Sequence, residues 1–285
     1  MDGIILINKE KHITSHDVVY NLRKILKEKK CGHTGTLDPL ATGLLIILFG
    51  KYTKLSSFLY NDTKTYDVKI LFGIQTNTLD VTGDVIERKF VNKIDNLDNV
   101  LKSIKGEIEY YPPMFSAIKI NGKKLYSYAR MNIEVERKLK KSFIYDVIKL
   151  DDLEYENDFA YLNIRLKVSS GTYIRSIVDI IGKRLDFPCT VYDLCRIEIG
   201  DLKLCNSYNL TDIINNNYKF IDCYDLLKIY YEIVKVDKET ALYLKNGREF
   251  NHSKQKDKIA VFCENDIIGI YQYVDNKYKA LRIWN

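Results

Sequence analysis

The chain has 285 residues and a formal net charge of +6, with 46% hydrophobic and 29% charged residues but only 4 Pro and 14 Gly. That composition excludes a disordered, collagen-like or low-complexity protein, and the length suits about two domains. No apolar run approaches about 18 residues, and the start, MDGIILINKE, has no basic segment leading into a long apolar core, so a soluble, cytoplasmic protein is expected. The excess of 44 Lys and Arg over 38 Asp and Glu fits a polyanionic partner without requiring one. The cysteines (Cys31, Cys189, Cys195, Cys205, Cys223 and Cys263) form no CxxC pair and no zinc-type spacing with histidine, so reduced thiols and no metal site are expected.

In chain order, residues 2–7 (DGIILI) predict a short strand. Thr14-Ser15-His16-Asp17 has the form of a capping box, and Val18, Val19, Leu22, Ile25 and Leu26 fall on one helical face. Residues 31–43 hold three glycines and a proline with almost no periodicity, which predicts a loop. It feeds 44–49 (LLIILF), a continuous apolar run typical of a strand buried on both faces. Leu55, Phe58 and Leu59 suggest a short helix. Tyr66, Val68, Ile70 and Phe72 alternate with Asp67, Lys69 and Leu71, as in a half-buried strand. Residues 95–104 read as a helix ended by Gly106, and Asn121-Gly122 as a hairpin turn. Residues 124–141 are basic and irregular, consistent with an inserted arm. Leu162, Ile164, Leu166 and Val168 mark another strand. Ser169-Ser170-Gly171-Thr172 breaks it and opens a helix whose apolar face carries Ile174, Ile177, Val178, Ile181 and Leu185. Two short strands are expected at 190–199. From about residue 233 a short helix (Lys238–Lys245) and three strands, at 258–263, 267–273 and 278–284, outline a small β-rich domain.

The densest chemical signal is residues 32–45, GHTGTLDPLATGLL. Asp38 precedes a proline, which biases it away from the helical region and favours an extended carboxylate. Gly32, Gly35 and Gly43 permit tight turns and close backbone approach. The phosphate-loop pattern is missing: there is no GK[ST] and no GxGxxG. Taken alone, an Asp in such a loop is an ordinary turn residue.

As a whole, however, this stretch resembles the catalytic motif of the TruB family of tRNA pseudouridine synthases. Further segments agree in order. Lys64-Thr65-Tyr66 resembles the family's K-x-Y strand, YPPMFSAIK (111–119) its next block, and Asn121-Gly122 with Leu125-Tyr126 to Ala129-Arg130 the continuation of that block. Gly171-Thr172-Tyr173-Ile174-Arg175-Ser176 resembles the GTYIR motif, and Leu194-Cys195-Arg196 the L-x-R motif. The likeness covers nearly the whole chain. It departs at Met131-Asn132, where A-R-x-G is common, and at Ser169-Ser170, where a basic residue is often found.

The resemblance implies an α+β fold: a pseudouridine synthase-like mixed, largely antiparallel sheet flanked by helices. Residues 1–232 would form the catalytic domain, with an RNA-binding insertion at about 106–141, and 233–285 a PUA-like RNA-binding domain. It implies isomerisation of uridine 55 in the T loop of tRNA by a monomer that needs no cofactor and no metal, because the base leaves C1′ through N1 and returns through C5 with nothing added. Asp38 would act covalently on the flipped nucleotide. Arg175 would pair with it, Tyr66 would stack on the base, Tyr173 and Leu194 would wall the pocket, and His33 would help hold the loop open where the base leaves. Lys254, Lys256, Lys258 and Arg282 are candidate tRNA contacts. Two other readings share these residues: a tRNA-binding or folding protein with a vestigial pocket, and a glycosylase releasing free base.

Overall fold

The structure, a computed structural model, describes residues 1–59, 63–131, 133–253 and 256–284. Lys254 and Asn132 lie outside the described residues. The elements run β1 (Gly3–Lys9), α1 (Ser15–Ile25), β2 (Cys31–Thr34), β3 (Thr42–Phe49), β4 (Lys64–Phe72), β5 (Ile74–Thr76), β6 (Val85–Arg88), α2 (Leu97–Ser103), β7 (Gly106–Tyr110), β8 (Lys119–Ile120), β9 (Lys123–Lys124), α3 (Leu125–Ala129), β10 (Lys140–Lys149), β11 (Glu154–Glu156), β12 (Phe159–Val168) and α4 (Ile174–Leu185). There follow β13 (Cys189–Ile199), β14 (Leu202–Lys203), α5 (Leu210–Ile214), α6 (Cys223–Tyr230), β15 (Glu232–Lys235), α7 (Lys238–Lys245), β16 (Lys258–Cys263), β17 (Asp266–Val274) and β18 (Lys277–Ile283). Among the described residues no helix is long and apolar enough to cross a membrane.

The architecture is α+β. The central sheet has the order β1-β3-β13-β4-β12-β10-β7, with β2, β11 and β14 paired at its margins. Its pairs are antiparallel except β13 with β3. Hydrophobic patterning explains which faces are covered. β4 and β12 alternate because one face packs on α2 and α4: Val68, Ile70, Leu162, Ile164, Ile177 and Ile181 share one core. β1 and β3 each carry a continuous apolar run, Ile4–Ile7 and Leu44–Phe49, because both faces are covered. Ile5, Ile7, Leu45 and Ile47 meet Val18, Val19 and Leu22 of α1. On the other side Ile4, Leu6, Leu44 and Ile46 meet α6 and the second sheet through Leu226, Phe262 and Trp284. That second sheet has the order β15-β16-β17-β18, with β15 parallel to β16, and begins at Glu232.

Several local expectations change. Cys31–Thr34 is a strand, not loop: the start of β3 pairs with β13, and its far end accepts β2 (His33 opposite Ile47). A tetrapeptide of Cys, Gly, His and Thr carries no alternation to announce this, and the tertiary edge decides it. The two short strands at 190–199 are one eleven-residue strand, β13, with register shifts at Val191/Asp193 and Arg196/Glu198. The short helix near Leu55 is a 3-10 helix, Gly50–Ser57. Because β7 and the start of β10 belong to the sheet, the segment standing off it is 111–139, narrower than 106–141. Within it, Asn121 and Gly122 both have positive φ (49° and 79°), as a two-residue hairpin turn requires.

Gly43, at the exit of the 35–41 loop, has φ +105°, and a Cβ there would lie 2.3 Å from the Arg196 carbonyl oxygen and 2.7 Å from its nitrogen. Backbone cannot yield as a side chain tip can. Gly43→Ala is therefore expected to lower stability by at least about 1–3 kcal/mol in urea unfolding; a loss within 0.5 kcal/mol, roughly the scatter of an unremarkable surface change, would contradict the close approach.

Candidate active site

Asp38 sits at the tip of a seven-residue hairpin loop between β2 and β3, and the loop is pinned along its length. The Leu37 amide donates to Ser15 Oγ at 2.9 Å, at the start of α1. The Pro39 carbonyl accepts from the His12 amide at 2.8 Å and from Lys9 Nζ at 3.4 Å. The Ala41 amide donates to the Asp38 carbonyl at 3.1 Å, and Leu37, Leu40 and Ala41 are buried around it. Lys9 is itself buried, with Nζ donating also to the Glu10 and Ile13 carbonyls at 2.8 and 2.7 Å. Burial draws its pKa down to about 8, against the raising pull of Asp38. The thirteen-residue stretch read as featureless loop is thus a strand followed by a rigidly held tip.

Arg175 enters from the first turn of α4, 5% exposed. Its Nη2 lies 2.8 Å from Asp38 Oδ2 and donates to the Phe115 carbonyl at 3.0 Å. Nη1 donates to the Thr78 carbonyl at 2.8 Å and lies 3.5 Å from Asp80 Oδ2. Asp80, 7% exposed at its side chain, is held in turn by Thr78 Oγ1 at 2.9 Å and by the Thr82 amide at 3.0 Å. One guanidinium therefore faces two carboxylates and two carbonyls from three separate segments.

The Asp38 side chain retains 39% of its accessible surface and lines a cavity of about 400 Å³. Protein surrounds it on the other sides. Burial accordingly pushes its pKa up; Arg175 opposes this by charge and hydrogen bond, Asp80 adds to it, and Lys9 opposes it more weakly.

Tyr66, near the start of β4, lines the same cavity, as do Tyr173 ahead of α4 and Leu194 on β13. Burial raises the Tyr173 phenol. The cavity brings together Asp38, Tyr66, Tyr173, Arg175 and Leu194. His33 is not among its lining residues: it stands on β2, half-buried, with its pKa lowered by burial and by the nearby charges of Arg196 and His16. Three further cations, Lys64, Lys140 and Arg196, line the cavity against the single acid Asp38. Lys140 Nζ donates to the Gly171 carbonyl at 2.7 Å and lies 5.0 Å from the centre of the Tyr173 ring. Arg196 is buried, its Nε donating to the Leu44 carbonyl at 2.8 Å. Among the described residues no cluster of three or more His, Cys, Asp or Glu is placed to hold a metal ion.

Asp80 and Lys9 were not singled out from sequence. Asp80 lies in GIQTNTLDVTG, a turn-rich segment in which an acid is an ordinary turn residue; only the fold carries it to Arg175.

The profile described as TruB family pseudouridylate synthase (N terminal domain) matches residues 23–174. The chain is 39% identical over 286 residues to tRNA pseudouridine synthase B of Bacillus anthracis, covering 96% of this chain and 93% of that protein. This chain belongs to the TruB family. A second TruB relative, tRNA pseudouridine synthase B of Staphylococcus aureus (strain MSSA476), is 37% identical over 297 residues, covering 99% and 97% of the two chains. A solved Cbf5-Nop10-Gar1 complex aligns with a TM-score of 0.69 at 23% identity, covering 99% of this chain and 84% of the other, which establishes the shared fold.

In this TruB chain Asp80 and Arg175 are both buried, and removing Asp80 takes away one of the two carboxylates that face the guanidinium while Asp38 remains. Asp80→Ala is expected to cost about 1–3 kcal/mol of unfolding free energy by urea titration; a loss below about 0.5 kcal/mol would show that Asp80 does not hold the guanidinium.

Proposed function

We propose that this enzyme isomerises uridine to pseudouridine at position 55 in the T loop of tRNA, with Asp38 as the group that acts covalently on the everted nucleotide. The reading rests on one observation above all: a carboxylate opening into a nucleotide-sized cavity while paired at 2.8 Å with a buried guanidinium. A nucleophilic carboxylate must be ionised, and burial alone would favour its neutral form. Arg175 supplies the opposing charge, and Asp80 with the two carbonyls keeps that cation from moving toward solvent.

Everting the base costs a few kcal/mol, and stacking on an aromatic ring returns roughly 1–3 kcal/mol. Tyr66 takes that role, with Tyr173 and Leu194 closing the slot around the pyrimidine. His33, outside the cavity, contacts the tRNA loop from which the base departs. Lys64, Lys140 and Arg196 give the cavity an excess of positive charge suited to the phosphates flanking the everted nucleotide. The 111–139 arm and a PUA-like domain over 233–285 grip the tRNA away from the reacting base, with Lys256, Lys258 and Arg282, all exposed, among the positioning contacts.

Incubation with tRNA transcripts carrying 5-³H-uridine should release tritium, and Asp38→Asn should abolish release while leaving tRNA affinity within about threefold. Binding without release by the wild type would identify a tRNA-binding protein with an inert pocket, and free uracil a glycosylase.

A further inference from the structure

Ser116 lies at the base of the arm and lines the Asp38 cavity. It is 5% exposed, and its Oγ makes no hydrogen bond to the described residues. The Tyr173 phenol is near enough for Ser116 to oppose the rise in its pKa, but the two hydroxyls do not reach hydrogen-bonding geometry. Buried hydroxyls are nearly always partnered, because losing water without gaining a partner is unfavourable. The backbone here is not loose enough to relieve the deficit. The Ser116 amide donates to the Met114 carbonyl at 2.9 Å, and its carbonyl accepts from the Tyr126 amide of α3 at 3.1 Å. The preceding carbonyl, of Phe115, is the one that receives Arg175. The Ser116 backbone is therefore held in place beside the segment that receives the guanidinium, while its O–H can turn.

We infer that Ser116 Oγ is a hydrogen-bonding contact for the uracil ring, completed when the base enters the cavity. The assignment rests on the isomerase reading and deepens it. Between the breaking of N1–C1′ and the making of C5–C1′, the base is no longer attached through N1, and negative charge spreads over its N1, O2 and O4 atoms. A hydroxyl that rotates freely can donate to a carbonyl oxygen or accept from N3–H, so it serves the ring before and after the turn that presents C5. Guanidinium or ammonium groups, which only donate, cannot do both. Because charge on the base is greatest after cleavage, the contact strengthens along the reaction and acts on turnover more than on tRNA affinity.

Single-turnover tritium release from 5-³H-uridine tRNA, measured beside thermal unfolding of the free protein, tests this. Ser116→Ala is expected to slow release about 10- to 100-fold, with tRNA affinity unchanged and Tm equal to or above that of the wild type, since an unpartnered polar atom has been removed. A rate equal to wild type would overturn the assignment while leaving the isomerase reading intact. A fall in Tm together with the rate would also overturn it, by showing that the hydroxyl serves the fold. No release from the wild type itself would overturn the isomerase reading and this assignment with it.

Discussion

The guanidinium of Arg175 is the constraint on which the site depends. A buried cation is tolerated only where charge and hydrogen bonds replace its water, and here the replacements come to the first turn of α4 from the 35–41 loop, the turn between β5 and β6 and the base of the arm. None of these segments is near another in sequence. Satisfying one side chain therefore fixes four pieces of chain with respect to each other, and the sheet order that sets β13 and β12 on either side of β4 provides the platform beneath them.

The same arrangement accounts for the electrostatic state of Asp38. Two effects raise its pKa, burial and the negative charge of Asp80, and two lower it, Arg175 and the more weakly coupled Lys9. A second carboxylate beside the proposed covalent group looks counterproductive until the geometry is considered. Asp80 faces the far nitrogen of the fork, so it retains the guanidinium in place while the near nitrogen remains for Asp38. The loop's own anchors, Ser15 and Lys9, keep the carboxylate from turning away, and Gly43 admits the close backbone contact with Arg196 that closes the loop's exit.

Much of this is legible in the sequence alone. Alternation placed β4 and β12, continuous apolarity placed β3, and Asn121-Gly122 placed the arm's hairpin, because each signal is local and follows from side-chain period or from positive φ. Motif resemblance brought Asp38, Arg175, Tyr66, Tyr173 and Leu194 forward, and these do share one cavity. What stayed hidden is what only long-range contact creates. Cys31–Thr34 becomes a strand because β3 offers it an edge; β13 runs on through its bulges where the pattern suggested two pieces; Asp80 and Lys9 acquire their importance from neighbours far away in sequence. Ser116 sat inside a recognised block with no feature to mark it, since an unpartnered hydroxyl is a property of its surroundings.

The most direct test of the account is a ¹³C-NMR titration of the Asp38 carboxyl, assigned by its loss in Asp38→Asn and repeated in Arg175→Gln. The wild-type group should titrate above the ordinary aspartate value of 3.8, and Arg175→Gln should move its titration to still higher pH, because burial and Asp80 then act without the opposing cation. An unshifted wild-type titration, or one indifferent to the loss of Arg175, would contradict it.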